Sequence, residues 1–465
     1  MGGILGTTAA AVHHDVPLST TLFFTGILVA LILCLALEEK LHAKKSLIAG
    51  VFAVVSIFFG AMYGILPTGP VVNVFGEKLA LPVFLQGVDW AVIGIILGSS
   101  VFVDVTSQSG LFTWIAIKLT KVSKGDPRRL LWLYGIMTVV FSAVLNNVTA
   151  MIIVGSLTAV SLERLDRRDM LLGFLLIEAL LTNVGGLLTL ISSVPNIIVG
   201  TQAGISFGQF FVVAAPYVLV ATLVTLWAGS RQFKIEPLVD EAEKNEAARL
   251  VGEFDENDGI KSPAFFRFAS FMTVAFIVVI ATTSILPWIK DLGMSFVALA
   301  FAVLMLIRYK AEVDRFYRAV DWDLLGFFAA LFMVINVMEH AQVLGLIGDG
   351  LKQVIALGET LGGGLMLVSA AGFSSVTDNI PLAAMLSKIL ANLGTEGDST
   401  LWWSVIFGAN LGGNITPIGS ASTLVAVTIM HKNKLKMSFA GFVRVAAPYA
   451  LIQIILATAY VLLFL

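Results

Sequence analysis

The sequence predicts an all-α polytopic membrane protein of two inverted-topology repeats, with about ten transmembrane helices, two re-entrant hairpins and two broken helices. Three observations predict it. Apolar residues make up 58% of the 465 positions and charged residues 13%, with a mean hydropathy of +0.93, whereas soluble domains carry roughly 25% charge. Apolar stretches long enough to cross roughly 30 Å of hydrocarbon recur from Leu18 to Leu465. Several short sequences also recur, in order, at a constant offset. The first two observations exclude a water-soluble fold.

Met1 to Pro17 lacks the basic region of a cleaved signal, so the first apolar run, 18–37, is expected to remain as a helix. Further apolar segments follow at 46–66, 90–117, 130–160, 170–200, 206–229, 265–286, 294–307, 324–344, 361–393, 401–430 and 439–465. Their connections are asymmetric. Roughly 23 Lys and Arg fall at 38–45, 118–129, 161–169, 231–262, 308–318 and 432–436, against about four in the other connections. The positive-inside rule places those six connections in the cytoplasm. The expected location is a prokaryotic cell (inner) membrane, with lipid and a small ion or anion as partners and no nucleic acid.

The connections at 118–129 and 161–169 both read as cytoplasmic, yet one apolar segment lies between them. A segment that enters and leaves on one side resolves the conflict, so 130–160 is read as a hairpin with Asn146 and Asn147 at its tip. Non-helical backbone at that depth requires protein or a wet cavity around it. By the same count 361–393 is a hairpin from the opposite face, with Asp378 and Asn379 at its tip. Twelve plain helices are the alternative.

The repeat organises these elements. Val88-Asp89-Trp90 returns as Val320-Asp321-Trp322, and Ile205-Ser206-Phe207 through Ala214-Ala215-Pro216-Tyr217 returns as Met437-Ser438-Phe439 through Ala446-Ala447-Pro448-Tyr449, both 232 residues later. Asn146-Asn147-Val148 aligns with Asp378-Asn379-Ile380 at that offset, and Asn183-Val184-Gly185-Gly186 aligns with Asn410-Leu411-Gly412-Gly413 after a five-residue shift. The domains are therefore a first repeat over 18–230 (hairpin 130–160, broken helix 170–200), a charged cytoplasmic linker over 231–263, and a second repeat over 264–465 (hairpin 361–393, broken helix 401–430). The linker run 241–246 reads as a solvated surface helix.

Paired glycines, hydroxyls and a proline interrupt the segments 170–200 and 401–430. A helix break exposes carbonyls at one end and N–H groups at the other, which suit cations and anions respectively. The candidate ion or substrate ligands are Asn146, Asn147 and Thr149 at the first tip, with Asn183, Gly185, Gly186, Thr189, Ser192 and Asn196 at the first break. Asp378 and Asn379 at the second tip, with Asn410, Gly412, Gly413, Asn414 and Thr416 at the second break, complete the set. Glycines and small residues also serve close helix packing without binding anything.

Asp378 is the most informative residue, because a carboxylate at a buried tip is costly unless it meets a cation, a proton or a donor. It also reads as the N-cap of a helix whose first turn holds Pro381. Glu178 is a second proton-carrier candidate, or else the partner of a neighbouring hydroxyl or amide. Asp104, Glu339 and His340 read as packing or interfacial residues before a proton path, and Arg444 as snorkelling to the interface. Cys34 is the single cysteine, which excludes an intramolecular disulfide, and the five histidines show no zinc-binding spacing.

The amide-tipped hairpin followed by a glycine-rich break, present twice, resembles the ion transporter superfamily that includes arsenite permeases, NhaD-type sodium–proton antiporters, the P protein, citrate-transporter-like proteins and divalent anion:sodium symporters. The resemblance runs from about Trp90 onward. Gly408 to Asn414 with Thr416-Pro417-Ile418-Gly419 is most similar to the arsenite-permease and P-protein branch, and Asp378 to Pro381 to the NhaD type. Two positions depart from the family pattern: Ser192 stands for a usual Gly and Thr423 for a usual Asn. The resemblance implies ion and substrate sites between hairpin tips and breaks, an elevator-like movement, and a homodimer.

The expected function is secondary active transport by alternating access, not enzymatic, with a sodium/proton (cation/proton) antiporter as the leading reading. Na+ is expected near Asn147, Asn183, Asp378, Asn379 and Asn410, and proton coupling at Asp378 or Glu178, with no other cofactor. The alternative is an anion permease, either arsenite efflux or sodium-coupled dicarboxylate or citrate-type symport. An intramembrane enzyme lacks its zinc or aspartyl motif in this sequence, and a channel fits inverted repeats with gating hairpins less well.

Overall fold

The computed structural model describes residues 16–72, 76–310 and 313–465. In chain order the helices begin with α1 (Leu18–Ala36), α2 (Glu38–Leu41) and α3 (Lys45–Met62), then a two-stranded ribbon of β1 (Val71–Val72) and β2 (Lys78–Leu79), then α4 (Val83–Gln86). The first repeat continues with α5 (Trp90–Ser107), α6 (Leu111–Ser123), α7 (Pro127–Val144), α8 (Asn147–Arg164), α9 (Leu171–Gly186), α10 (Val194–Ala203) and α11 (Phe207–Gln232). The linker holds α12 (Glu241–Gly252). The second half comprises α13 (Pro263–Ala281), α14 (Ile289–Arg308), α15 (Val313–Ala319), α16 (Trp322–His340), α17 (Val343–Ile355), α18 (Glu359–Ser374), α19 (Asn379–Asn392), α20 (Thr400–Gly412), α21 (Ala421–Lys432) and α22 (Phe439–Phe464).

Nine helices among the described residues are long and apolar enough to cross a membrane. The tenth expected crossing, 401–430, is divided into α20 and α21, each too short alone. Both predicted hairpins are helix pairs: α7 and α8 pack on each other across Leu145–Asn146, and α18 packs on α19 across 375–378. Both predicted breaks are present, between α9 and α10 and between α20 and α21. The linker run at 241–246 opens an exposed helix, α12, capped by Asp240.

The recurrent motifs are recurrent structures. Ser206 and Ser438 cap α11 and α22 by accepting from the N–H groups of Gln209 and Gly441, and each helix carries a proline inside it, Pro216 and Pro448. Asp89 and Asp321 accept from the N–H groups that open α5 and α16. Ser142 donates to Thr182 O at 2.6 Å, and its equivalent Ser374 donates to Ala409 O at 2.6 Å. Thr189 reaches Ala143 O as Thr416 reaches Ser375 O, at 2.6 and 2.7 Å. The hairpin and cap residues keep the 232-residue offset and the break residues keep it less the five-residue shift, so the duplication extends to single hydrogen bonds.

Contacts divide the chain into two compact units, one of the described residues up to Val88 with Phe327–Ile347, the other of Asp89–Gly326 with Gly348–Leu465. In the first, α1 packs on α3 through edge-to-face contacts of Phe23, Phe24, Phe59 and Tyr63. The second holds both hairpins and both breaks. There each hairpin's second arm packs on the other repeat's outgoing half-helix, α8 on α21 and α19 on α10. Glycines permit this approach: a Cβ at Gly185 would sit 2.6 Å from Val139 Cα, and one at Gly412 would strike Ala371 O, the equivalent contact in the second repeat.

Two predictions arise from this packing. Gly412→Ala must push α18 from α20 and should cost about 1–3 kcal/mol, seen as a lower melting temperature in detergent. Gly50→Ala, with open space around it, should be neutral; equal melting of the two variants would refute the contact. The second concerns the linker, where Lys118 and Lys121 donate to the Glu256 carboxylate. Those bonds, Lys118 first, hold its pKa down from 4.5 to about 2. A depressed carboxylate stabilises fully above its ordinary value and loses that contribution as pH falls. Hydrogen exchange of 254–261, corrected for intrinsic rates, should therefore rise between pH 4.5 and about 2, and Glu256→Gln should be raised already at neutral pH. Matching profiles for the two proteins would remove the ion pair from linker docking.

Candidate ion and substrate site

Each break strands backbone groups that the bilayer cannot solvate. At the first break, Gly186 O and Thr189 O are the stranded carbonyls. Asn196 Nδ2 donates to them at 2.6 and 2.9 Å, and Ser192 Oγ at 2.5 and 2.8 Å. Ser192, the departure from the family pattern, thus does the same work as Asn196. At the second break, Thr423 occupies the position of Asn196 and donates to Ser420 O at 2.7 Å and Pro417 O at 3.1 Å. The hydroxyl is shorter than an amide and satisfies the nearer carbonyls.

The two breaks are joined crosswise by the serines that open the outgoing half-helices. Ser193, before α10, donates to Asn410 Oδ1 at 2.6 Å. Ser420, before α21, donates to Asn183 Oδ1 at 3.0 Å. These serines and asparagines are equivalents in the two repeats, and all four are buried. Asn183 Oδ1 also accepts from Ser422 Oγ at 3.2 Å and from Asn147 Nδ2 at 3.3 Å.

Beyond these bonds the symmetry ends. Asn410 Nδ2 donates to Asn196 Oδ1 and to Ile406 O, both at 2.8 Å. Asn183 Nδ2 donates to Asn414 Oδ1 at 2.8 Å. Asn414 in turn donates to Leu180 O at 3.1 Å and to Gln453 Oε1 at 2.7 Å, and Gln453 donates to Thr225 Oγ1 at 2.9 Å. Two networks of amides and hydroxyls, neither with a charged member, therefore cross between the repeats: Ser193, Asn196 and Asn410 tie α10 to α20, and Asn183, Asn414, Ser420 and Ser422 tie α9 to α21 and, through Gln453, to α22 and α11.

The hairpin tips meet the site differently. Asn146 is exposed and caps α8 by accepting from Thr149 N at 2.8 Å, so Thr149 enters through its backbone. Asn147 accepts from Ser142 Oγ at 2.6 Å, and Gly186 is a glycine because a Cβ would meet Asn147 Nδ2 at 2.7 Å. Asp378 is half-buried and caps α19 by accepting from Ile380 N at 3.0 Å. Among the described residues Asn379 makes no hydrogen bond to Asn410, although Asn147 bonds the equivalent Asn183.

The structure thus brings Asn147, Asn183 and Asn414 into one network and Ser192, Asn196 and Asn410 into a second, and gives Gly185, Gly186, Gly412 and Gly413 packing roles. Thr189 and Thr416 brace the breaks against the tips. Sequence reasoning passed over Ser193, Ser420, Ser422 and Gln453. The first two carried a signal, since each is a hydroxyl at the same place in both repeats. Gln453, a lone amide in an apolar helix, carried only its rarity.

A family model described as citrate transporter matches residues 28–408. An uncharacterized transporter of Mycobacterium tuberculosis is 28% identical over 381 residues, covering 80% of this chain and 86% of the relative. The 46 kDa membrane protein of Mycobacterium leprae is 29% identical over 379 residues with the same coverage. The human P protein is 25% identical over 517 residues, covering 92% of this chain and 60% of its own length. Among solved structures, Neisseria gonorrhoeae MtrF, described as illuminating a class of antimetabolite efflux pumps, aligns with a TM-score of 0.57 at 13% identity over 91% of this chain and 95% of its own. The Alcanivorax borkumensis YdaH transporter aligns at 0.53 and 12% identity over 95% and 97%. These likenesses establish the fold, and with the spans they make the chain a multi-pass integral membrane protein.

The crossed serines give an asymmetric prediction. Ser193 is the donor to Asn410 Oδ1 among the described residues, whereas Asn183 Oδ1 retains Asn147 and Ser422 when Ser420 is lost. Leaving a buried acceptor unpaired costs about 1–3 kcal/mol. Ser193→Ala should therefore lower the melting temperature more than Ser420→Ala, and the reverse order would sink the assignment.

Proposed function

This chain belongs to the citrate transporter family, and we propose that within it the protein carries a small carboxylate anion of the citrate class by alternating access, with sodium or protons as coupling ions. One observation carries the reading: the N-termini of α10 and α21, from opposite repeats, each meet a buried neutral amide of the other repeat, Ser193 at Asn410 and Ser420 at Asn183. Half-helix N-termini favour anionic groups, and neutral amides and hydroxyls hold carboxylates by hydrogen bonds without trapping them. A network without a fixed positive charge binds a multiply charged anion well only with cations beside it. That need is the physical basis for coupling.

The two repeats are read as inverted in the membrane, the hairpins as gates reaching the site from opposite faces, and the protein as a homodimer moving this unit against the rest. A second reading, sodium/proton antiport, is favoured by Asp378, a carboxylate in the place of the first repeat's Asn146. A fixed negative charge there attracts a metal cation or a proton and repels a free anion.

Purified protein in proteoliposomes separates the two. Labelled citrate should accumulate saturably under an imposed sodium or proton gradient, and Asn183→Ala or Asn410→Ala should reduce uptake by at least about tenfold, the equivalent of about 1.4 kcal/mol. Sodium-driven proton movement without any anion, abolished by Asp378→Asn and accompanied by no citrate uptake, would overturn the carboxylate reading in favour of antiport.

A further inference from the structure

Glu178 lies in the middle of α9, fully buried, one helical turn before Thr182. Oε1 accepts from Thr158 Oγ1 of α8 at 2.6 Å, while Oε2, equally buried, has no hydrogen-bond partner among the described residues. Among the described residues no cation is paired with it. Of the elements packed on α9, α20 carries no titratable residue. The charged residues of the others stand at exposed positions: Arg128 and Arg129 on α7, Glu163 and Arg164 on α8, Arg168 and Asp169 before α9, Arg231 on α11, His431 and Lys432 on α21, and Arg444 on α22. What remains is phenols, Tyr134 on α7, Tyr217 on α11, and Tyr449 and Tyr460 on α22. Tyr217 donates to Gln453 O and Tyr460 to Val213 O. A carboxylate with one donor and no counter-charge in such a place is costly, and such residues in membrane proteins mark ion pathways.

A line of buried hydroxyls leads to it. Thr120 Oγ1 on α6 lies 2.5 Å from Tyr134 Oη, which lies 2.8 Å from Ser161 Oγ on α8. Ser161 stands one turn from Thr158, on the same helix face, and Thr158 bonds Glu178. All four hydroxyl-bearing residues are buried. The line starts on α6, the helix whose Lys118 and Lys121 bond Glu256 of the charged linker. At the other end, Thr182 Oγ1 donates to Glu178 O, and Thr182 O accepts from Ser142, which bonds Asn147. Glu178 therefore stands between a hydroxyl line from the linker side and the amide network of the breaks.

We propose that Glu178 is the proton-binding residue of the transport cycle, loaded along Thr120, Tyr134, Ser161 and Thr158. The inference rests on the transport reading above in one respect, that transport is coupled to protons. One proton is taken up at the carboxylate, which becomes the neutral acid, and the same proton is released when the unit opens to the other side. Hydroxyls suit the route because each both donates and accepts, so a proton can enter one end as another leaves. Thr158, the last hydroxyl of the route, holds the carboxylate in place and passes the proton to Oε1, the oxygen to which it donates.

The test has two readouts on the full-length protein. Infrared difference spectra between high and low pH, recorded in lipid, should contain the carbonyl stretch of a protonated carboxyl group in an apolar setting. Glu178→Gln should remove that band, and Thr158→Val should shift it. With labelled citrate as probe, Glu178→Gln should retain citrate counterflow to within about twofold while pH-driven accumulation falls to background. A variant that accumulates citrate under a pH gradient as the wild type does, or a wild-type spectrum whose band survives in Glu178→Gln, would overturn the proposal. Absence of citrate counterflow in the wild type would instead count against the substrate reading, and the infrared band would still decide for or against Glu178.

Discussion

Hydrocarbon supplies no partner for a broken helix, and the architecture depends on that constraint. The gaps after Gly186 and after Gly412 each leave carbonyls and N–H groups without intrahelical bonds. Local hydroxyls and amides take up the carbonyls: Ser192 and Asn196 in one repeat, Thr423 in the other. The serines opening the outgoing half-helices instead turn to the opposite repeat, Ser193 to Asn410 and Ser420 to Asn183. Once those two bonds exist, α10 must lie beside α20 and α21 beside α9, as they do. The close glycine contacts Gly185–Val139 and Gly412–Ala371 then bring the hairpins up to the breaks.

This arrangement has a mechanical consequence. Buried hydrogen bonds fasten each break to the other repeat, Ser193 and Asn196 to Asn410, and Asn183 to Asn414, Ser420 and Ser422, so the breaks cannot separate without stripping several buried amides of partners at once. The cost of each such loss is about 1–3 kcal/mol, and the network contains many. Relative motion is cheaper at surfaces without such bonds. The first tip is tied to its break through Asn147 and through Thr189, while Asn146 beside it is exposed and caps α8.

Most of the fold was legible because the signals were long. Hydropathy over tens of residues placed the helices, charge asymmetry demanded the hairpins, and the repeat confirmed where they turn. The site was legible to the extent that its residues were unusual for a membrane. Paired glycines and asparagines at matching offsets stood out, and Asn147, Asn183 and Asn414 meet in one network while Asn410 meets Asn196 in another. Serines did not stand out, because in apolar helices they commonly donate to the preceding turn, as Ser99 does to Ile95 O. Nothing in spacing alone separates that habit from the long-range bond of Ser193. The second tip was legible as a helix cap through the Asp378-Asn379-Ile380-Pro381 run, and Asp378 does cap α19.

The differences between the repeats carry more information than their likeness. Where the first repeat has Asn196 the second has Thr423, and where the second has Asn414 the first has Leu187. Each amide therefore has a non-amide across the pseudo-symmetry, and each serves a different neighbour: Asn196 fastens the first break on itself, whereas Asn414 reaches out to Gln453 and α22. Asn146 against Asp378 and Glu178 against Val405 extend the same pattern to charge. A perfectly symmetric pair of repeats would have the same free energy facing either side, and direction would come from the gradients alone. In the proposed cycle, one carboxylate at a tip and another on α9, in different repeats, would make the energies of the two orientations respond differently to protons and cations, as coupled transport requires.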